Sequence, residues 1–182
     1  MKPLDEAAWP HLVRPGSRIF IGGGASVPFA LVHSMLRQAD HFKDIELVHI
    51  HGLGETPWID PKYADVLRTN SFFLTPALRE AVERGQADYT PCPMSEVASL
   101  FENGPLPLDV ALIQVSPPDA DGWWWMQYGN SDRPEPVRHT GGCIIFGGTA
   151  YSRRNLGLQA RFIRANVPVF PVRKEACHGE DS

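Results

Sequence analysis

The chain has 182 residues, 43% hydrophobic and 21% charged, with 17 basic and 21 acidic side chains for a net charge of −4. That composition suits a globular domain and excludes a disordered chain, a general nucleic-acid binder and, with no apolar run near roughly 20 residues, a helical membrane span. An acidic start without an apolar signal core (Asp5, Glu6) and three scattered cysteines (Cys92, Cys143, Cys177) make a reducing, cytoplasmic setting the expectation.

Arg18-Ile19-Phe20-Ile21 lies between Pro15-Gly16 and Gly22-Gly23-Gly24 and reads as a buried strand leaving on a tight turn. Pro28 stands where a helix would start, and Ala30, Leu31, Ser34, Met35 and Leu36 give a helical stripe to about Ala39. Ile45 to His51 reads as a second strand, broken by Gly52-Leu53-Gly54. Leu67 to Leu74, with its apolar Phe72-Phe73-Leu74, is a third candidate. Thr75-Pro76 reads as an N-cap followed by proline at the first helical position, opening a helix over Ala77–Arg84 that stops at Gly85. Ser95 to Phe101 is a further helix, and Asp109 to Val115 the clearest strand.

Strand, glycine turn, helix and strand in alternation predict an α/β fold, a mostly parallel sheet flanked by helices. Ligands of such sheets bind beyond the carboxyl ends of the strands. That selects the loops Gly22–Pro28, Gly52–Pro57, Thr75–Pro76 and Ser116–Gly122 as the candidate site.

The Gly22-Gly23-Gly24 turn could bring backbone N–H groups to an anion or a carbonyl oxygen, or be a tight structural turn. It is neither G-x-G-x-x-G, since position 27 is Val, nor a Walker loop. His49-x-His51 puts two imidazoles on one strand face, but no third metal ligand stands at a familiar spacing, which favours ordinary hydrogen-bonded histidines. Glu55 could serve as a base or nucleophile in a cleft, or be a solvated loop acid. Cys92 has no basic neighbour in sequence to activate it, and Arg79, Glu80, Glu83 and Arg84 read as the wet face of a helix.

Four stretches, in order, resemble the N-terminal domain of the acetyl-CoA hydrolase/transferase family, which includes 4-hydroxybutyrate and succinate:acetate CoA-transferases. They are Gly16-Ser-Arg-Ile-Phe-Ile-Gly-Gly-Gly-Ala-Ser-Val-Pro28, Arg68-Thr-Asn-Ser-Phe-Phe-Leu74 with Arg79-Glu-Ala-Val82, Gly85-Gln-Ala-Asp-Tyr-Thr-Pro91, and Leu108 through Gly122. The resemblance implies a NagB/RpiA-like fold and a reaction moving CoA between an acyl-CoA and a small carboxylate. It requires no cofactor beyond CoA as substrate. A glutamate in a second, C-terminal domain would attack the thioester, so no catalytic residue carries over. As substrate-binding candidates it implies Gly22, Gly23, Gly24 and Pro28 of the first loop, Gly52 and Gly54 beside the acyl site, Thr75 near the carboxylate, and Ser116 with Pro117 after the last strand. The implied partners are the acyl-CoA, the carboxylate and a second polypeptide carrying the glutamate domain, with self-association through uncovered apolar surface and no nucleic acid or membrane. A non-enzymatic remnant or binding module and a nucleotide-binding α/β protein are the alternatives.

The resemblance fades at Gly122. Residues 1–122 hold 9 basic and 16 acidic side chains, a net of −7, whereas residues 123–182 hold 8 and 5, a net of +3, and seven of those eight bases are Arg. The run Trp123-Trp124-Trp125 follows the seam and cannot face a single core. The expectation is therefore a domain over 1–122 and a divergent, poorly folded tail over 123–182 from a shifted reading frame or rearranged gene, with a natural short variant as the rival. Within that tail Cys143–Phe146 reads as a strand, while Pro168 and Pro171 demote Val167–Val172.

Overall fold

A computed structural model describes residues 9–24, 27–102, 104–115 and 141–146. The apolar runs become the parallel strands β1 (Arg18–Ile21), β2 (Ile45–His49), β3 (Leu67–Ser71), β4 (Ala87–Tyr89) and β5 (Val110–Val115). A sixth, β6 (Gly141–Phe146), lies antiparallel beside β5, so the sheet order is β4-β3-β2-β1-β5-β6. The expected α/β class, with a mostly parallel sheet flanked by helices, is what the chain adopts. The strand expected at Cys143–Phe146 forms and pairs with β5. The triple Trp, Ser116, Pro117 and Val167–Val172 lie outside the described residues.

Side-chain alternation sorts the strands onto two cores. Ile19, Ile21, Ile45, Leu47, Val110 and Leu112 face one side, under helix α2 (Phe29–Leu36) and Trp58. Phe20, Val48, Ala111 and Ile113 face the other, under helix α4 (Val97–Glu102) through Val97 and Phe101. A short helix α1 (Trp9–Leu12) is pinned to the first layer by Trp9, whose Nε1 donates to Ser34 Oγ at 2.9 Å. Helix α3 (Pro76–Glu83) opens as expected: Thr75 Oγ1 accepts the Leu78 N–H, and Pro76 takes the first helical position.

Besides ends that shift by one or two residues, as where β2 stops at His49 and not His51, three elements differ from the sequence expectation. Helix α2 ends at Leu36, and Ala39–His41 forms a separate 3-10 turn. Strand β3 is Leu67–Ser71, so the apolar pair Phe72-Phe73 follows the strand instead of forming it. Its polar residues are held by a ladder across neighbouring strands: Arg18 Nε to Glu46 Oε2 at 2.6 Å, Asn70 Nδ2 to Glu46 Oε1 at 3.0 Å, and Thr90 Oγ1 to Asn70 Oδ1 at 2.8 Å. Arg68 and Asp88 continue it as a bidentate ion pair. The third difference is β4, a three-residue edge strand too short to carry a periodic signal.

Candidate functional site at the carboxyl edge of the sheet

The chain winds outward from β1 to β4, then returns to place β5 on the other side of β1. The order reverses between β1 and β5, which is where an open α/β sheet forms its ligand crevice, beyond the carboxyl ends. The loops after β1, β2 and β3 all open on this edge, and they carry Gly22, Gly23, Gly24, Gly52, Gly54 and Thr75.

The structure joins the first two of these loops directly. Gly24 and Gly52 form a parallel bridge, with Gly24 N–H donating to His51 O at 2.6 Å and Leu53 N–H to Gly24 O at 3.1 Å. Gly22 N–H donates to Leu112 O at 2.8 Å. Two of the three amides in the glycine turn are therefore consumed internally, and the carbonyl oxygen the turn approaches most closely belongs to His51. Gly24 has φ +65° and Gly54 φ +97°, conformations that favour glycine. Gly23 has a different constraint: a Cβ there would overlap the His51 carbonyl oxygen. Gly23→Ala is expected to destabilise the domain by about 1–3 kcal/mol by forcing the two loops apart; equal urea midpoints for variant and wild type would contradict that close approach.

The remaining candidates separate. Pro28 is buried at the entry to α2. Thr75 has its hydroxyl engaged in capping α3. Glu55 is exposed, as is Glu96 in the loop after β4, so the carboxylates on the described edge loops all face solvent. Cys92 is only partly buried, its Sγ 3.4 Å from Pro93 O, and burial followed by the charge of Glu96 pushes its thiol up from the usual range. That shift runs against a thiolate nucleophile.

The two histidines differ from the expectation of ordinary hydrogen-bonded side chains. His49 is 1% exposed, and neither ring nitrogen has a hydrogen-bond partner among the described residues. Its ring meets Trp58 edge-on, with centroids 5.4 Å apart, and Trp58 Nε1 is likewise buried and unpartnered. Burial, with a smaller contribution from the charge of His51, pushes His49 down to about 4. At neutral pH it is therefore an uncharged imidazole. His51 is half-buried, its Nδ1 enclosed without a partner and its ring edge-on to Phe73 at 4.8 Å. Among the described residues no group of three or more His, Cys, Asp or Glu side chains could hold a metal ion.

Apolar side chains surround this edge. Leu53 follows β2, Phe73 follows β3, and Tyr89 and Met94 lie at and beyond the end of β4; each is between 42% and 54% exposed. Sequence reading did not gather these four, because they sit in separate loops or at a strand end (Phe73 was read as part of a strand), and only the topology brings them to one edge. No helix among the described residues is long and apolar enough to cross a membrane.

Comparison with known proteins agrees with this architecture. Residues 2–146 match the acetyl-CoA hydrolase/transferase N-terminal domain, a match that runs beyond Gly122 to the end of β6. A 4-hydroxybutyrate coenzyme A transferase from Clostridium kluyveri is 35% identical over 129 residues, 71% of this chain and 30% of the relative. A succinyl-CoA:acetate/propanoyl-CoA:succinate CoA transferase from Fasciola hepatica is 38% identical over 113 residues, 61% of this chain and 23% of the relative. The chain thus spans less than a third of either relative's length. RipA from Yersinia pestis has the same fold, with a TM-score of 0.58 at 22% identity over 69% of this chain and 31% of that one.

Proposed function

The chain belongs to the acetyl-CoA hydrolase/transferase family through its N-terminal domain, and we propose that it supplies that domain's share of a site moving CoA between an acyl-CoA and a small carboxylate. The acyl-CoA and the acceptor would lie against the carboxyl edge, over the joined Gly22–Gly24 and Gly52–Gly54 loops. The nucleophile would come from a further domain, in a longer chain or a second polypeptide. Its glutamate would attack the thioester carbonyl, expel the CoA thiolate and leave an acyl-glutamyl anhydride. The thiolate would then take the glutamyl carbonyl, release the first carboxylate, and leave a glutamyl-CoA thioester that the acceptor opens in turn. Covalent catalysis divides one difficult transfer into easier steps.

The observation that carries this reading is the composition of the edge. It has closely fitted backbone and an apolar rim, while its described carboxylates, Glu55 and Glu96, are exposed. That arrangement suits binding and shielding, and among the described residues it supplies no activated nucleophile. The same backbone bonding weighs against the nucleotide-binding alternative, because Gly22 and Gly24 have no amide left for a phosphate. The exposed Leu53, Phe73, Tyr89 and Met94 support a partner or self-association at this edge. Calorimetric titration tests the ligand class: acetyl-CoA should bind and NAD should not, and NAD bound in preference to CoA would overturn the assignment.

A further inference from the structure

We propose that Phe29 is a positioning residue for the ligand edge, its ring propping the Gly52–Gly54 loop so that Leu53 stays out where an acyl-CoA would lie. The inference rests on the function proposed above. The loop after β2 is supported at each of its glycines by the entry to α2. A Cβ on Gly52 would lie 3.2 Å from Val27 Cγ2, and one on Gly54 would lie 3.2 Å from Phe29 Cζ. Val27 is 5% exposed and belongs to the first core layer, which makes it a fixed floor. Phe29 is only half-buried: it packs against that layer, and its ring stacks on His33 one turn later, with centroids 6.2 Å apart. Its size therefore sets the height of the loop at Gly54.

Backbone bonds hold the loop from the other side. Gly24 N–H donates to His51 O just before it, and Leu53 N–H donates to Gly24 O within it. Gly54, at φ +97°, keeps a conformation that side chains rarely adopt. With Gly52, Gly54 and the Leu53 amide all held, the one side chain of the loop remains 54% exposed at the edge. Phe73 is exposed on the same edge, so Leu53 extends an apolar surface that a bound ligand can remove from water.

The test uses the full chain and calorimetric titration with acetyl-CoA, alongside urea denaturation of each variant. Leu53→Ala and Phe29→Leu should each weaken acetyl-CoA binding about five-fold, the scale of one lost apolar contact. The double variant should bind no more weakly than the weaker single one, because Phe29 acts through Leu53. Leu12→Ala, which trims another partly buried side chain of the same layer, should lower the urea midpoint and leave the affinity unchanged. Phe29→Tyr keeps the ring and places a hydroxyl on Cζ, the atom facing Gly54, so it should weaken binding even if Phe29→Leu fails to fold. Wild-type affinity in Phe29→Tyr, or losses that add in the double variant, would overturn the positioning role while leaving acetyl-CoA binding by the wild type intact. No binding of acetyl-CoA by the wild type would overturn the proposed function and this role together.

Discussion

Replacing Trp58 with alanine is expected to destabilise the domain by about 3–5 kcal/mol, the usual cost of removing a large buried aromatic. Trp58 is 2% exposed in the 3-10 turn Pro57–Ile59, and it closes the first core layer together with α2 and the buried faces of β1 and β2. Ile59, Tyr63 and Val66 pack partly buried against the same layer, so the cost depends on how far they can shift into the space the indole leaves. Trp58 also covers the His49 ring, and its loss would admit water to an imidazole that has no hydrogen-bond partner among the described residues. Urea denaturation measures the effect; a change below about 1 kcal/mol would show that the layer closes without the indole.

Stability should also fall steeply with acid, for a reason that sits in one side chain. His49 is lowered from the ordinary 6.5 to about 4, mainly by burial. Below about pH 6.5 the unfolded imidazole takes up a proton that the folded one refuses until about pH 4, so the unfolded state binds more protons across that window. Stability from this group is fully present above pH 6.5 and is lost as pH drops toward 4, by about 3 kcal/mol in total at roughly 1.4 kcal/mol per pH unit. A His49→Leu variant removes the titration, so the difference between its curve and the wild-type curve isolates this contribution. Parallel curves for the two proteins between pH 6.5 and 4.5 would contradict the buried neutral state. In Trp58→Ala the same slope should flatten, because a hydrated His49 no longer resists its proton.

The fold was legible where burial and chain order agree. Asp109 to Val115 announces β5 by an unbroken apolar run, and Thr75-Pro76 announces α3 by capping chemistry that needs no tertiary partner. Strand β3 begins where expected at Leu67 but ends at Ser71, short of Leu74, because its own residues are largely polar and the apolar run Phe72-Phe73-Leu74 lies past its end. Asn70 owes its place to Glu46 and Thr90, more than 20 positions away in one direction and 20 in the other. The ligand edge was legible from topology alone, as the ends of strands followed by glycine. The role of its glycines was not: Gly23 is required by the carbonyl of His51, a contact between two loops separated by a whole βα unit. The inequality of His49 and His51 was equally hidden, since Trp58 seals one ring while the other is half-buried.

This chain is proposed to bind at its carboxyl edge and to take its nucleophile from another domain. Transfer of CoA from acetyl-CoA to succinate tests it most directly, assayed with the purified chain alone and after addition of a polypeptide carrying the remaining portion of a family member. Turnover in the mixed sample and none with the chain alone is the expected result. Turnover by the chain alone, retained when Glu55 and Glu96 are present and lost when either is replaced, would place the nucleophile on this domain and contradict the claim.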